Sequence, residues 1–545
     1  MKKFVTFLLA YSMLAMSLAG CGAAEQPISQ SSANAAEIEG TAIVLSDEGT
    51  TVDGEAISSD TSAAVYAAND IVYYEEGKDF TYGEGTEEDA HSAEEAAAHT
   101  VVHITEPGTY ILSGSLSAGQ VAVDLGEDAE EDPSAVVTLV LNGVDIFCSV
   151  APAVIFYNVY ECGSTDTETA TETVDTSAAG ANVLIADGTA NNIYGSYVAR
   201  IYKPDSVELN EDGTEVADAK KLHKYDAAFY SKKTMNVGAW GEGTGVLNIN
   251  AENEGLDAEL HLTINGGTIN ITSGNDGINT NEDGVSVTTI NGGSLNIVVT
   301  GTTGEGDGID SNGWLVINGG TVVASACGFS GDSGIDSDMG IHVNGGTVMA
   351  SGNMLDRLED GQNHAVFTFA ESQAGGSTYT LKDAAGETVA EVTPANDFSI
   401  LVVSAPELTA GEYTFWQGET KLAASSGMGG MGGFGGQRPM MPADGEEPTE
   451  LPEGMENTER PEMPEGMERP EGGRGEWTKN EDGTVTLPDG TTVDPSQMER
   501  PEGGKGGGFG GRGSGGQDQQ GGGERSTTFI IVDGANYFSG VTAAA

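Results

Sequence analysis

Ile264-Asn265-Gly266-Gly267-Thr268 returns three times, as Ile290-Asn291-Gly292-Gly293-Ser294, Ile317-Asn318-Gly319-Gly320-Thr321 and Val343-Asn344-Gly345-Gly346-Thr347. The asparagines are 26, 27 and 26 residues apart. A second phrase keeps time with the first: Gly255-Leu256-Asp257, Gly277-Ile278-Asn279, Gly308-Ile309-Asp310 and Gly334-Ile335-Asp336, ending 8, 12, 8 and 8 positions before the asparagine. The longer interval marks a loop insertion near Asn281–Gly284. A fixed period in this range belongs to a solenoid, a propeller or an array.

The apolar pattern decides among them. Leu262, Ile264, Ile269 and Ile271 form one parity set around the first Asn-Gly-Gly, and Thr288, Ile290, Leu295 and Ile297 repeat it. Leu315, Ile317, Val322 and Ala324, then Ile341, Val343, Val348 and Ala350, do so again. Alternation of period two means strands. About 26 residues is too short for a four-stranded propeller blade, and the leucine-rich signature is absent. Short strands joined at glycine corners and stacked about 4.8 Å apart predict a right-handed parallel β-helix, an all-β solenoid. Asn265, Asn291, Asn318 and Asn344 are then expected to stack as an amide ladder, with Gly-Gly letting the backbone turn at positive φ.

The second phrase stacks Asp257, Asn279, Asp310 and Asp336 in one column. Asp276 and Asp307 sit three residues before it, and Asp332 and Asp338 lie close by. Between Gly241 and Ala350 there are fourteen Asp or Glu and no Lys or Arg. Two carboxylates about 4.8 Å apart repel by about 0.9 kcal/mol in water and about 3.5 kcal/mol at an effective dielectric of 20. A hard divalent cation relieves this, and oxygen donors from carboxylates, amides and carbonyls are what Ca²⁺ takes. Asp257, Asp276, Asn279, Asp307, Asp310, Asp332, Asp336 and Asp338 are therefore candidate calcium ligands. The other reading is a solvated acidic rim whose aspartates bond to their own turns. Gly306-Asp307-Gly308-Ile309-Asp310 mimics the nonapeptide calcium repeats, but the period is wrong for them.

The rest of the chain falls around this block. Residues 1–20 carry Lys2-Lys3 and then the apolar run Phe4–Leu18, ending Leu18-Ala19-Gly20-Cys21. This looks like a bacterial lipoprotein signal with Cys21 acylated, which predicts an exported protein anchored to the outer face of the cell membrane. Residues 21–40 read as a tether and 41–350 as the β-helix. Residues 351–427 alternate between Gly and Asp turns, as an antiparallel β cap does. Residues 428–526 are Gly-, Pro-, Glu- and Met-rich and cannot bury a core, which predicts a disordered insertion; Trp477–Val493 alone has the pattern of a small hairpin. Residues 527–541 return to strand and complete the cap.

The chain has 85 Asp and Glu against 22 Lys and Arg, a formal charge of −63. That excludes nucleic acid as a partner, since its phosphates demand basic surface. Of the four cysteines, Cys21 is the lipidation candidate, Cys148 and Cys162 are a candidate pair, and Cys327 reads as a small buried residue.

One order of motifs runs through the chain: Gly108-Thr109-Tyr110-Ile111-Leu112-Ser113-Gly114, Leu141-Asn142-Gly143-Val144, Ala186-Asp187-Gly188-Thr189, Ala227-Ala228-Phe229-Tyr230-Ser231-Lys232 and the repeated Asp-Gly-Ile-Asx. It resembles a clostridial-type carbohydrate-binding β-helix family, typified by a cellulose- and polygalacturonate-binding protein with a pectate-lyase-like fold and bound calcium. The resemblance covers residues 41–418 and the last strand. It implies a monomeric, non-catalytic polysaccharide binder, with polygalacturonate, pectin or cellulose as the glycan. By parity Trp314, His261 and His342 point outward and are the candidate sugar contacts; Trp314 either stacks on a sugar ring or packs under a loop. Two other functions stay open. One is a structural or adhesive surface protein in which calcium only stiffens the repeats. The other is a polysaccharide lyase, whose base has Lys232 and Lys233 as its nearest candidates.

Overall fold

The structure is a computed structural model. It describes residues 39–359, 361–427 and 525–544, with the backbone of 478–479, 485–486 and 492–493. The signal segment, Cys21, the tether up to residue 38 and most of 428–524 lie outside the described residues. The described chain is nearly all β, with one short α-helix, Ala93–Ala97. That helix starts on a capping box, Ser92 and Glu95 satisfying each other's backbone N–H groups.

Each repeat contributes one strand to each of two parallel ladders, and the first two repeats contribute one to a third. His261–Ile264, Val287–Ile290, Trp314–Ile317 and Gly340–Val343 pair in register as the first. Thr268–Ser273, Ser294–Val299, Thr321–Ser325 and Thr347–Gly352 form the second. Glu254–Ala258 pairs with Ile278–Thr280; Ile309 continues the third by a single bridge to Ile278, and Asp336 by one backbone hydrogen bond to Ile309. Thr41–Leu45, Gly108–Leu116, Val137–Cys148, Ala181–Ala186 and Met235–Trp240 extend the first ladder backwards, again in parallel. The early strands thus belong to the same stack despite their weaker repeat.

The parity set points inward throughout, from Leu262 at 0% exposure to Ala350 at 2%. A fully buried Leu or Ile contributes about 1.5–3 kcal/mol through removal from water, so the columns are the main stabilising term. The polar member, Thr288, bonds to Thr280, which also bonds to Ser311. At the Asn-Gly-Gly corner the amides join at 2.9 Å from Asn344 through Asn318 and Asn291 to Asn265. At Gly320, φ is +82°. A Cβ on Gly319 would stand 2.6 Å from the Asn291 carbonyl oxygen, so neither position tolerates a side chain. A second ladder runs along the other strand of each repeat, Asn296 to Asn270 to Asn248 to Asn192, ending on Asp145. It was not expected, because its asparagines sit inside strands and carry no turn signal.

Thr347–Gly352 pairs in parallel with Thr321–Ser325 on one edge and antiparallel with Phe398–Ser404 on the other. The boundary drawn at residue 350 falls inside this shared strand. The segment beyond it is antiparallel as expected, except that His364–Gln373 pairs in parallel with Ala535–Ala543. The segment expected as one final strand is two, Phe529–Ile531 and Ala535–Ala543, broken where Gly534 turns at φ +89°. Phe367, Phe415, Phe529 and Phe538 pack together, with Phe367 stacked on Phe415 at 3.9 Å between centroids. Cys148 and Cys162 are free thiols rather than a pair, with Cys148 buried at the end of Val137–Cys148; Cys327 is buried, as its isolation suggested.

Within 428–524, Thr478–Lys479, Val485–Thr486 and Thr492–Val493 pair as a small antiparallel sheet, where the sequence pointed to a hairpin. The insertion leaves and rejoins the main unit at one place: Ala424 and Ser526 exchange backbone hydrogen bonds of 2.9 and 3.0 Å. Removing residues 428–524 and closing Gly427 to Arg525 with a short Gly/Ser linker is therefore expected to leave the melting temperature almost unchanged, since closure entropy depends only weakly on loop length. A large fall in a calorimetric scan would contradict this.

Candidate functional site

A seven-stranded sheet carries the third ladder: Val65–Ala68, Thr100–Ile104, Gly119–Asp124, Val154–Asn158, Ala227–Ser231, Glu254–Ala258 and Ile278–Thr280. Its register aligns Tyr66, His103, Ala122, Ile155, Tyr230, Asp257 and Asn279 in one row. Backbone bonds from Asp310 to Ile278 and from Asp336 to Ile309 carry the row on. The column read from the repeat is thus the far end of a continuous face.

Three carboxylates come together where the regular repeats begin. Oxygens of Asp226, Glu254 and Asp257 lie within 4.8 Å of one another, and the three residues are 7%, 5% and 0% exposed. The Lys224 ammonium stands 2.5 Å from Asp226, so one positive charge faces three acids. Asn281 donates to both Asp257 oxygens at 2.9 and 3.0 Å. Asn279 donates to Glu254 Oε1 at 3.3 Å, while Glu254 Oε2 and Asn279 Oδ1 are buried without a partner. A buried oxygen left without a partner costs about 1–3 kcal/mol. Burial, then Asp257 and Asp226, push Glu254 well above the usual carboxylate range; burial, then Glu259 and Asp226, do the same to Asp257. Oxygen donors alone, excess negative charge and orphaned lone pairs fit a hard cation such as Ca²⁺.

The remaining acids continue the row. Asp276 accepts from the Asp307 N–H at 2.6 Å, and Asp307 from the Ser333 N–H at 2.5 Å. Burial raises Asp276 to about 7 and Asp307 to about 10, the latter helped by Asp336 and Asp276. Burial with Asp276 and Asp338 raises Asp310 to about 7, and burial with Asp356 and Asp310 raises Asp336 to about 7. Asp336 Oδ1 is a further buried oxygen without a partner. Asp310 and Asp336 are half-buried and Asp338 is exposed. Asp332 accepts from the Gly306 N–H of the preceding repeat at 2.7 Å and from the Ser330 hydroxyl of its own turn, and only the second is the kind of bond the acidic-rim reading expected.

Asp226, Glu254 and Asp356 were not among the sequence candidates. Glu254 had a signal: it precedes Asp257 by the same three residues that separate Asp276 from Asn279 and Asp307 from Asp310. Asp226 and Asp356 flank the regular repeats, where the period gives no register.

The outward histidine does not stay outward. His261 is 2% exposed, its Nδ1 accepts from the Val287 N–H at 3.1 Å, and burial lowers it to about 4. The backbone at Gly163 covers it, and Thr176 bonds Thr263 at 2.8 Å in the same cover. His261 is therefore out of reach of a glycan, because the segment 163–178, which parity ignores, lies over its strand. Trp314 and His342 are part-exposed and sit two positions apart on neighbouring strands, Val316 pairing with His342.

Fold and site together define an all-β protein of stacked parallel ladders with an acidic row on one sheet face. Residues 98–366 match the model of a family described as carbohydrate-binding domain-containing protein. No curated protein matches the chain. A solved structure described as the polysaccharide lyase-like protein from C. thermocellum, a gadolinium derivative, is similar at 18% identity over 59% of this chain and 90% of that one. Its TM-score of 0.31 is too low for one fold to be read from the other.

Proposed function

We propose that the chain is a non-catalytic, calcium-dependent polysaccharide binder of the cell surface, built as a right-handed parallel β-helix, with an acidic glycan such as polygalacturonate as its ligand. The observation that carries the calcium is the pair of orphaned buried oxygens, Glu254 Oε2 and Asn279 Oδ1, beside Asp226 and Asp257. The family match over residues 98–366 supports the carbohydrate. Solvent exposure divides the acids into two roles. Asp226, Glu254 and Asp257 are too deep to touch a glycan, so an ion there stiffens the repeats. Asp310, Asp336 and Asp338 reach the surface, where an ion takes protein carboxylates on one side and uronate oxygens on the other. Without it the acidic face repels a polyuronate.

Calorimetry of the protein against polygalacturonate, pectin and cellulose, each with calcium and with chelator, tests this. Binding of polygalacturonate that strengthens with calcium is expected. A calcium shift in melting with no change in any glycan affinity would leave only the scaffold role.

Elimination chemistry needs a base near the sugar, and the repeats from Gly241 to Ala350 contain no Lys or Arg. Of the two candidate bases, Lys233 is held by Glu130 at 2.7 Å, and Lys232 lines a cleft that contains none of the candidate calcium ligands needed to neutralise the uronate for elimination. No unsaturated product is expected from polygalacturonate. No helix of the described residues is long and apolar enough to cross a membrane. Surface attachment in this proposal comes from acylated Cys21, and Cys21→Ala is expected to move the protein from the membrane fraction to the medium. Retention of that variant in membranes would refute the anchor.

A further inference from the structure

The same sheet face opens into a second site at its other end. A cleft of about 670 Å³ is lined by Tyr66, His103, Asp124, Tyr157, Tyr225 and Lys232, among others. Leu222, His223 and Tyr225 of Lys221–Tyr225, the strand paired antiparallel with Val198–Tyr202, also line it. Tyr66 stacks on His103 with ring centroids 4.5 Å apart and planes 14° from parallel, and both rings are part-exposed. Tyr157, on the same sheet two residues beyond Ile155 of that row, meets Tyr225 edge to face at 5.5 Å.

The charges in the cleft are accounted for except one. Asp70 is bound by His103 at 2.8 Å. Asp124 accepts from Asn158 at 2.8 Å and from the Gly126 N–H at 3.0 Å. His223 bonds the Tyr225 hydroxyl at 2.6 Å. Of the neighbouring lysines, Lys221 pairs with Glu259, Lys224 with Asp226 and Lys233 with Glu130. Lys232 is half-buried and makes no ion pair among the described residues. In a chain with 85 acids, an ammonium left unpaired in a partly desolvated cleft is the exception. Seven of the chain's 22 Lys and Arg fall between residues 200 and 233, against seven Asp and Glu there, so this stretch is formally neutral while the repeats from Gly241 to Ala350 hold no base at all.

We propose that this cleft is a calcium-independent subsite for one uronic acid residue of the polysaccharide, its carboxylate held by Lys232 and its ring lying against Tyr66, His103 or Tyr157. An ammonium–carboxylate contact supplies the charge recognition. The apolar face of a pyranose ring suits aromatic walls. Asp70 and Asp124 keep acceptor capacity for sugar hydroxyls. Lys232 lies on Ala227–Ser231's continuation, next to Glu254–Ala258, so an extended glycan in the cleft runs along the row toward Asp310 and Asp336. The proposal rests on the polysaccharide reading but not on its calcium.

The test is calorimetry of an oligogalacturonate against the whole protein in chelator, with a neutral galactose oligomer as control. The acidic oligomer is expected to bind, the neutral one to bind much more weakly. Lys232→Met is expected to weaken the acidic oligomer about tenfold or more, the usual worth of a hydrogen-bonded charge. Lys232→Arg, which keeps the charge, is expected to bind nearly as wild type and controls for folding. No binding in chelator, equal binding of the neutral oligomer, or Lys232→Met at wild-type affinity would each overturn the subsite. If the acidic oligomer fails to bind in chelator and calcium restores its binding, the subsite fails and the calcium reading stands. If Lys232-dependent binding persists and calcium adds nothing, the reverse holds.

Discussion

Asp257→Asn should make the protein more stable in chelator and less stable in calcium than the wild type. Asp257 is 0% exposed beside Glu254 and Asp226, with one ammonium, that of Lys224, in reach. Without metal the wild type must bury unbalanced charge or take up protons to fold, and burial of an uncompensated charge costs several kcal/mol. The asparagine keeps the shape and can still accept from Asn281, so it removes that cost. With calcium the balance reverses. An ion bound only to the folded state at 100 times its dissociation constant adds about 2.7 kcal/mol, and the variant forfeits the share that depends on the lost carboxylate. The check is a pair of melting curves for each protein, in chelator and in excess calcium. Two lines that cross support the site. A wild type with no calcium shift, or a variant that keeps the whole shift, would sink it.

Acidity should act with opposite sign in the two conditions. Asp276, Asp310 and Asp336 are raised to about 7 in the fold and Asp307 to about 10, each chiefly by burial. Unfolded aspartates titrate near 3.9. Between those values the folded chain holds more protons than the unfolded one, so metal-free stability falls as pH rises. For the first three groups the loss begins above about 4 and is complete above about 7; Asp307 extends it toward 10. The melting temperature in chelator is therefore expected to drop from pH 5 to pH 8. Calcium requires the ionised carboxylates and competes with protons, so with calcium the melting temperature should rise over the same interval. Asp310→Asn combined with Asp336→Asn should flatten both slopes. A chelated wild type that gains stability from pH 5 to pH 8 would show that these acids are not buried at the expense of their charge.

Much of the scaffold was legible because it is repetitive. The alternation around each Asn-Gly-Gly assigned strands and inward residues correctly from Leu262 to Ala350. The spacing of the asparagines forced them into one ladder. The row from Asp257 through Asn279 and Asp310 to Asp336 followed from the same period, because a parallel register copies sequence spacing into space. In the second ladder only the step from Asn270 to Asn296 keeps the 26-residue spacing; the steps from Asp145 to Asn192, Asn192 to Asn248 and Asn248 to Asn270 are 47, 56 and 22. That ladder escaped because a strand asparagine looks like any exposed polar residue until its neighbours are stacked. Glu254 escaped for a narrower reason: the offset matched, but the residue type changed from Asp to Glu.

The amino-acid order therefore determined what is local and periodic: strands, corners, the inward set, and a column of acids with no base inside its own stretch. Only the tertiary structure decided which groups meet across long separations. The segment 163–178 crosses to Thr263 and covers His261. The strand that ends at Tyr225 brings Lys221 to Glu259, and its Lys224 also faces Glu254 and Asp257, supplying charge that the acidic stretch itself lacks. Leu222, His223 and Tyr225 of that strand also line the cleft of Lys232. The physical reason is that desolvation depends on everything packed around a group, and a carboxylate's or ammonium's energy is set by that enclosure far more than by its neighbours in sequence.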